Sequence, residues 1–289
     1  MNDLILTIVH GYDYPFLQPF FESLKKVAFK GDIVVFISET VSKATRAALK
    51  KNGVILIDYQ TTHPYLTEYA HAFEAITPEA SISNYRFILF LEYLLANQMK
   101  YKKVMMTDVR DVIFQRNPFL GVAEDKINVF LEDPVQTFRY SALNYQWSSA
   151  ANGREVTDSY IDEVVSCAGF TIGGTDPVIA YLKHMKKKLE HHAKLPWAFD
   201  QGVHNGYVYA KKPAEMRVFA NDDPFVATLG AYQPYHMNAS AEVVNSKGEV
   251  YAVVHQYDRS GKLFSLIKQK YIGSRVLQKL KRIFYLVMP

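Results

Sequence analysis

The stretch LILTIVHGYDYPFLQPFFESLKKVAFKGDIVVFI, residues 4–37, decides the fold. Its ends, LILTIV (4–9) and IVVFI (33–37), are short apolar runs rich in branched residues, the composition of buried strands. Between them residues 17–27 repeat apolar side chains at helical spacing. Outward from there, residues 42–51 carry a second helical pattern and VILID (54–58) a third strand-like run. The order β-α-β-α-β predicts a mainly parallel sheet with helices on both faces, an α/β, Rossmann-like fold. Residues 60–80 are polar and irregular, after which YRFILFLEYLLANQ (85–98) reads as a strongly apolar helix feeding a strand at 103–106. A further strand is expected at 127–131. No linker or internal repeat interrupts the chain, so residues 1–262 read as a single domain, followed by a distinct tail, 263–289.

A length of 289 residues is enough for a large core, and 49% apolar with 21% charged residues excludes disordered and fibrous classes. Forty aromatic rings suit a protein that stacks on flat ligands, although cores also use rings. The single cysteine, Cys167, cannot form an internal disulfide, which favours a reducing compartment. The 4–9 run is too short for a signal peptide and has no basic residues before it, and no run reaches the ~18 apolar residues of a membrane span. The expectation is a cytoplasmic protein, soluble or peripheral to a membrane.

Charge is unevenly placed. No acidic residue follows Asp258, whereas Arg259, Lys262, Lys268, Lys270, Arg275, Lys279, Lys281 and Arg282 do, so the rest of the chain is net acidic. Leu263, Ile267, Val276, Leu277, Leu280, Ile283 and Phe284 recur among these bases at helical spacing. Such a tail reads either as a basic amphipathic helix contacting an anionic membrane surface or as a helix docked on the body. Nucleic acid is not an expected partner, because no recognisable nucleic-acid motif accompanies the basic end.

The chemistry is concentrated in VMMTDVRDVIFQ (104–115). Asp108 and Asp111 end a buried strand, the edge where open α/β sheets bind ligands. As hard oxygen donors they suit Mg²⁺ or Mn²⁺, and the alternative is a plain ion pair with Arg110. Neither G-x-G-x-x-G nor G-x-x-x-x-G-K-[ST] occurs, so dinucleotides and P-loop ATP are poorly supported.

The segment YRFILFLEYLLANQMKYKKVMMTDVRDVIF (85–114) resembles the region of GT-A-fold, nucleotide-sugar-dependent glycosyltransferases in which an Arg-bearing helix precedes a strand ending in an Asp-x-Asp metal motif. SCAGFTIGG (166–174), FDQGVHN (199–205) and AVVHQYDRSGK (252–262) resemble later segments of glycogenin-like members, in the same order. The resemblance implies a GT-A domain with a nucleotide-sugar-binding half, 1–115, and an acceptor-binding half, 116–262. It implies Mn²⁺ or Mg²⁺ held by Asp108, Asp111 and His255. An Asp-x-Asp box would carry a carboxylate where this chain has Arg110. Either both aspartates share the metal in a shifted geometry, or one binds it while Arg110 touches phosphate.

Donor contacts implied in the same way are Val9, His10, Gly11 and Tyr12 after the first strand, Arg86, Asp108, Arg110, Gln201 and Lys262. Asp200 and Asp258 are the candidate bases, with capping of a helix as the plainer role for Asp200. Glu132, Asp133, Trp147 and Trp197 are candidates for holding an acceptor. The expected activity is transfer of a sugar from a nucleotide-diphosphate sugar, UDP-linked in the first instance, to a glycan or glycolipid. Two other readings stand beside it: a catalytically silent sugar-nucleotide or glycan-binding domain, and a phosphatase with Asp108 as nucleophile.

Overall fold

The computed structural model describes residues 1–59, 78–190, 198–230 and 234–272. The first half runs β1 (Asn2–Val9), α1 (Tyr14–Lys26), β2 (Asp32–Ser38), α2 (Lys43–Lys51), β3 (Ile55–Tyr59), α3 (Pro78–Asn97), β4 (Tyr101–Thr107) and β5 (Val112–Phe114). The second half begins β6 (Ile127–Leu131), α4 (Ala142–Asn152), α5 (Arg154–Asp158), β7 (Ser166–Gly174), α6 (Thr175–Glu190) and α7 (Phe199–Gly206). It ends with β8 (Met216–Phe219), β9 (Val226–Thr228), β10 (His236–Met237), β11 (Val243–Val244), β12 (Val253–His255) and α8 (Gly261–Ile272).

Seven strands form the central sheet in the order β3-β2-β1-β4-β7-β6-β8. All its pairings are parallel except those of β7, which runs antiparallel to both β4 and β6. Both faces are buried, as a parallel sheet requires. Leu4, Leu6, Val34, Phe36, Val104 and Met106 point into one layer, packed with Phe87 and Phe90 of α3 and Val178 of α6. Their neighbours Ile5, Val9, Val35, Ile37 and Met105 point into the other, with Leu17, Phe20 and Phe21 of α1. The period-2 alternation of strand side chains thus serves two cores at once.

Helix starts follow local chemistry. Pro15 lies in the first turn of α1, and the Ser42 hydroxyl caps α2 by accepting from the Thr45 N–H at 3.2 Å. α3 begins at Pro78, earlier than the apolar pattern suggests, so residues 78–80 are helical and not irregular. Residues 60–77, the rest of that polar stretch, lie outside the described residues, as does Trp197.

A second sheet, β5-β12-β9, positions the site. β5 pairs antiparallel with β12 in the register Val112↔His255, so Asp111, one residue before β5, sits beside His255. The Tyr257 hydroxyl donates to the Arg110 carbonyl at 3.0 Å and ties the following turn to the same loop.

Of the tail, the structure describes residues to Ile272; 273–289 lie outside the described residues. α8 is docked on the body. Leu263, Ile267 and Tyr271 are buried, and the Lys268 ammonium donates to the Pro15 carbonyl at 2.9 Å in the first turn of α1. Lys268 is therefore an internal anchor, and burial lowers its pKa to about 7. Among the described residues no helix is long and apolar enough to cross a membrane.

Candidate metal and ligand site

Because β7 alone is reversed, the carboxyl ends of β1, β4 and β6 meet the amino end of β7 at one sheet edge. His10 and Tyr12 follow β1, Asp108 follows β4, Glu132 follows β6, and Cys167 to Gly169 open β7. All of them line one cavity of about 500 Å³, a volume typical of small-molecule sites. Arg86 of α3, Asp200 and Gln201 of α7, and Trp147 of α4 complete its walls.

Asp108, Asp111 and His255 converge there, each offering a ligand atom within 4.8 Å of the others. His255 Nε2 lies 3.6 Å from Asp108 Oδ2 and 4.0 Å from Asp111 Oδ1. That nitrogen is fully buried and has no hydrogen-bond partner, a costly state for a polar atom with nothing to bind. Gly169 supplies the space: a Cβ there would come within 2.6 Å of His255 Cε1 and 2.7 Å of Asp108 Oδ2. Two carboxylates and one imidazole around an orphaned nitrogen, in a cradle that only glycine leaves open, fit a divalent cation.

Electrostatics hold the ligands apart from one another in protonation. For Asp108 burial alone would raise the pKa, but the Arg86 guanidinium, followed by the His255 imidazole, holds it well below the usual carboxylate range. Asp111 is pushed the other way, up, by burial. Arg86 bonds Asp108 Oδ1 and also Asp200 Oδ2, the latter at 3.2 Å, leaving Asp108 Oδ2 to face His255.

A second cluster forms the rim. Arg110 donates to Asp258 Oδ2 at 2.7 Å and lies 5.6 Å from the centre of the exposed Tyr12 ring. Arg259 donates to Asp258 Oδ1 at 2.6 Å and reaches within 3.9 Å of Asp111. Gln256, at φ 59°, turns the chain sharply between His255 and this pair, and its side-chain oxygen accepts from the Gly230 N–H at 3.1 Å. Two guanidinium groups thus flank the metal-type trio on its open side.

The residues expected from sequence divide accordingly. His10, Tyr12, Arg86, Asp108, Arg110, Asp111, Asp200 and Gln201 line the cavity, and His255 closes it from beneath. Val9 is buried in the core, Gly11 is exposed, and Lys262 is exposed on α8, all three outside the cavity lining. Gln201 is spent on structure: its oxygen accepts from the Ala168 N–H at 2.8 Å, and its nitrogen donates to the Ser166 carbonyl at 2.9 Å, clamping the start of β7. Asp200 is not a helix cap, since Ala198 precedes the helix and the Asp200 carboxylate pairs with Arg86.

Two functional positions escape a reading of the sequence. Gly169 is one of several small residues in SCAGFTIGG, and only its closeness to His255 sets it apart. Arg259 follows Asp258 without any motif, and its place beside Asp111 depends on the turn at Gln256.

No protein-family model matches the chain, and no curated protein matches it either.

Proposed function

We propose that this protein is a metal-dependent glycosyltransferase that takes a nucleotide-diphosphate sugar, UDP-linked ahead of GDP-linked, and passes the sugar to a glycan or glycolipid hydroxyl. The reading is carried by the Asp108–Asp111–His255 trio opening onto a cavity rimmed by Arg110 and Arg259. A nucleoside diphosphate bears its charge on phosphates, and forked guanidinium groups beside a cation site suit them.

Asp108, Asp111 and His255 would hold a Mn²⁺ or Mg²⁺ ion, which would supply positive charge to a departing diphosphate. Arg110 and Arg259 bind the same phosphates from the rim and exchange their hold on Asp258 for it. Tyr12, exposed beside Arg110, gives a ring face for the base. Arg86 orients Asp108 and holds Asp200 at the cavity wall, its charge opposing the larger upward push of burial on the Asp200 pKa. Trp147 and Glu132, which line the same cavity, are on hand for the acceptor.

Incubation with UDP- and GDP-sugars in Mn²⁺ tests the assignment through slow, metal-dependent release of the nucleoside diphosphate. Binding without release identifies a silent sugar-nucleotide module, the reading that an arginine in place of a carboxylate at position 110 leaves open. Phosphate release from simple esters, with no nucleotide-sugar affinity, identifies a hydrolase.

A further inference from the structure

Four of the carboxyls that line this cavity or stand at its rim are committed to arginines. Arg86 holds Asp108 and Asp200, while Arg110 and Arg259 hold Asp258. Asp111 lies within 4.0 Å of both Arg110 and Arg259 as well as beside His255. A carboxylate already occupied by a guanidinium is less open to an attacking hydroxyl, even where burial raises its pKa, as for Asp111 and Asp200.

Glu132 is different. It directly follows β6, its own N–H fixed to the Val165 carbonyl at 2.8 Å, and its side chain lines the same cavity. Among the described residues that side chain makes no hydrogen bond and no ion pair. The titratable groups acting on it are His255 of β12 and Cys167 of β7, and burial prevails over the imidazole's pull to bring its pKa up to about 7.

We propose that Glu132 is the catalytic residue that accepts the proton of the attacking hydroxyl. The role rests on the glycosyl-transfer reading above. As the hydroxyl oxygen bonds to the anomeric carbon, its proton passes to a Glu132 carboxylate oxygen. The bond from the anomeric carbon to the β-phosphate oxygen breaks, and its electron pair leaves with the nucleoside diphosphate. An acceptor with a proton affinity near the working pH is the one best matched to such a transfer. Asp200 and Asp258, the bases expected from the sequence, are then charge partners of Arg86 and of Arg110 and Arg259.

The test compares wild type, Glu132→Gln and Glu132→Asp in Mn²⁺ with UDP-glucose, UDP-galactose and GDP-mannose, water serving as acceptor. Calorimetry with Mn²⁺ and UDP is run on each, and release of nucleoside diphosphate is followed from pH 5 to 9. We expect Glu132→Gln to bind Mn²⁺ and UDP within about twofold of wild type while release falls about 100-fold. The rise of the wild-type rate with pH disappears in Glu132→Gln and persists in Glu132→Asp. Undiminished release by Glu132→Gln, or a slower rate with the same pH rise, overturns the role of Glu132 alone. Loss of Mn²⁺ and UDP binding in Glu132→Gln makes the residue part of the binding site and also overturns it. A wild type that binds these donors without turnover overturns the transferase reading and this role together.

Discussion

Asp108 Oδ2 faces His255 Nε2 at 3.6 Å, although one residue ends a strand of the central sheet and the other a strand of the small sheet. The contact exists because β5 leaves the Asp108–Asp111 loop and pairs directly with β12. Both side chains are thereby fixed by backbone ladders and not by a mobile loop, the arrangement that a preformed ion site needs.

Removing either partner should show in metal binding. Asp108→Ala and His255→Ala are each expected to weaken Mn²⁺ at least tenfold, measured by calorimetry, with the circular dichroism of the wild type retained. An affinity unchanged in both variants removes these residues from any cation site.

Gly169 tests the cradle independently of the ligands. Its backbone conformation is open to any residue, so Gly169→Ala acts only through the methyl group pressed against His255 and Asp108. Overpacking of this kind costs about 1–3 kcal/mol. The variant should unfold at lower urea and lose Mn²⁺ affinity, and normal Mn²⁺ binding would show that the space above Gly169 is not used.

Arg86 is the only guanidinium on Asp200 among the described residues, and both are buried. Arg86→Met leaves that carboxylate without its partner, which for buried pairs costs about 3–5 kcal/mol. Adding Asp200→Asn should recover part of the loss in urea unfolding. Strict additivity of the two substitutions would contradict their direct coupling.

His204 gives a pH dependence with a definite sign. It is fully buried between the Ser166 hydroxyl and the Tyr181 hydroxyl, each at 2.9 Å, and burial, aided by the Arg86 charge, lowers its pKa to about 3. Between pH 6.5 and 3 the unfolded chain takes up a proton that the folded chain refuses, so stability is complete above pH 6.5 and falls as the pH drops. His204→Gln should flatten that part of the urea-midpoint profile. A slope unchanged by the substitution would assign the acid sensitivity to other groups.

Much of this site is legible in the order of the residues alone. The strand ending in TDVRD is read from its apolar run and stands where expected, whereas SCAGFTIGG is singled out only by its resemblance to a later family segment and forms β7. What periodicity cannot carry is pairing between distant segments. The reversal of β7, the register Val112↔His255, and the arginine held by each aspartate all depend on long-range contacts. Asp200 and Asp258 look like free bases in the sequence because their partners, Arg86 and Arg110, lie far away along the chain. Glu132 is expected from the sequence only as an acceptor contact, and it is the fold that leaves its side chain in the cavity without a hydrogen bond or ion pair to the described residues.

Binding of UDP to the wild-type protein, titrated by calorimetry in Mn²⁺ and again in excess EDTA, bears most directly on the metal-and-diphosphate assignment. UDP should bind in Mn²⁺ and lose at least tenfold in affinity in EDTA, with the difference absent in Asp108→Ala. Equal UDP affinity with and without the metal, or no UDP binding in either, would contradict it.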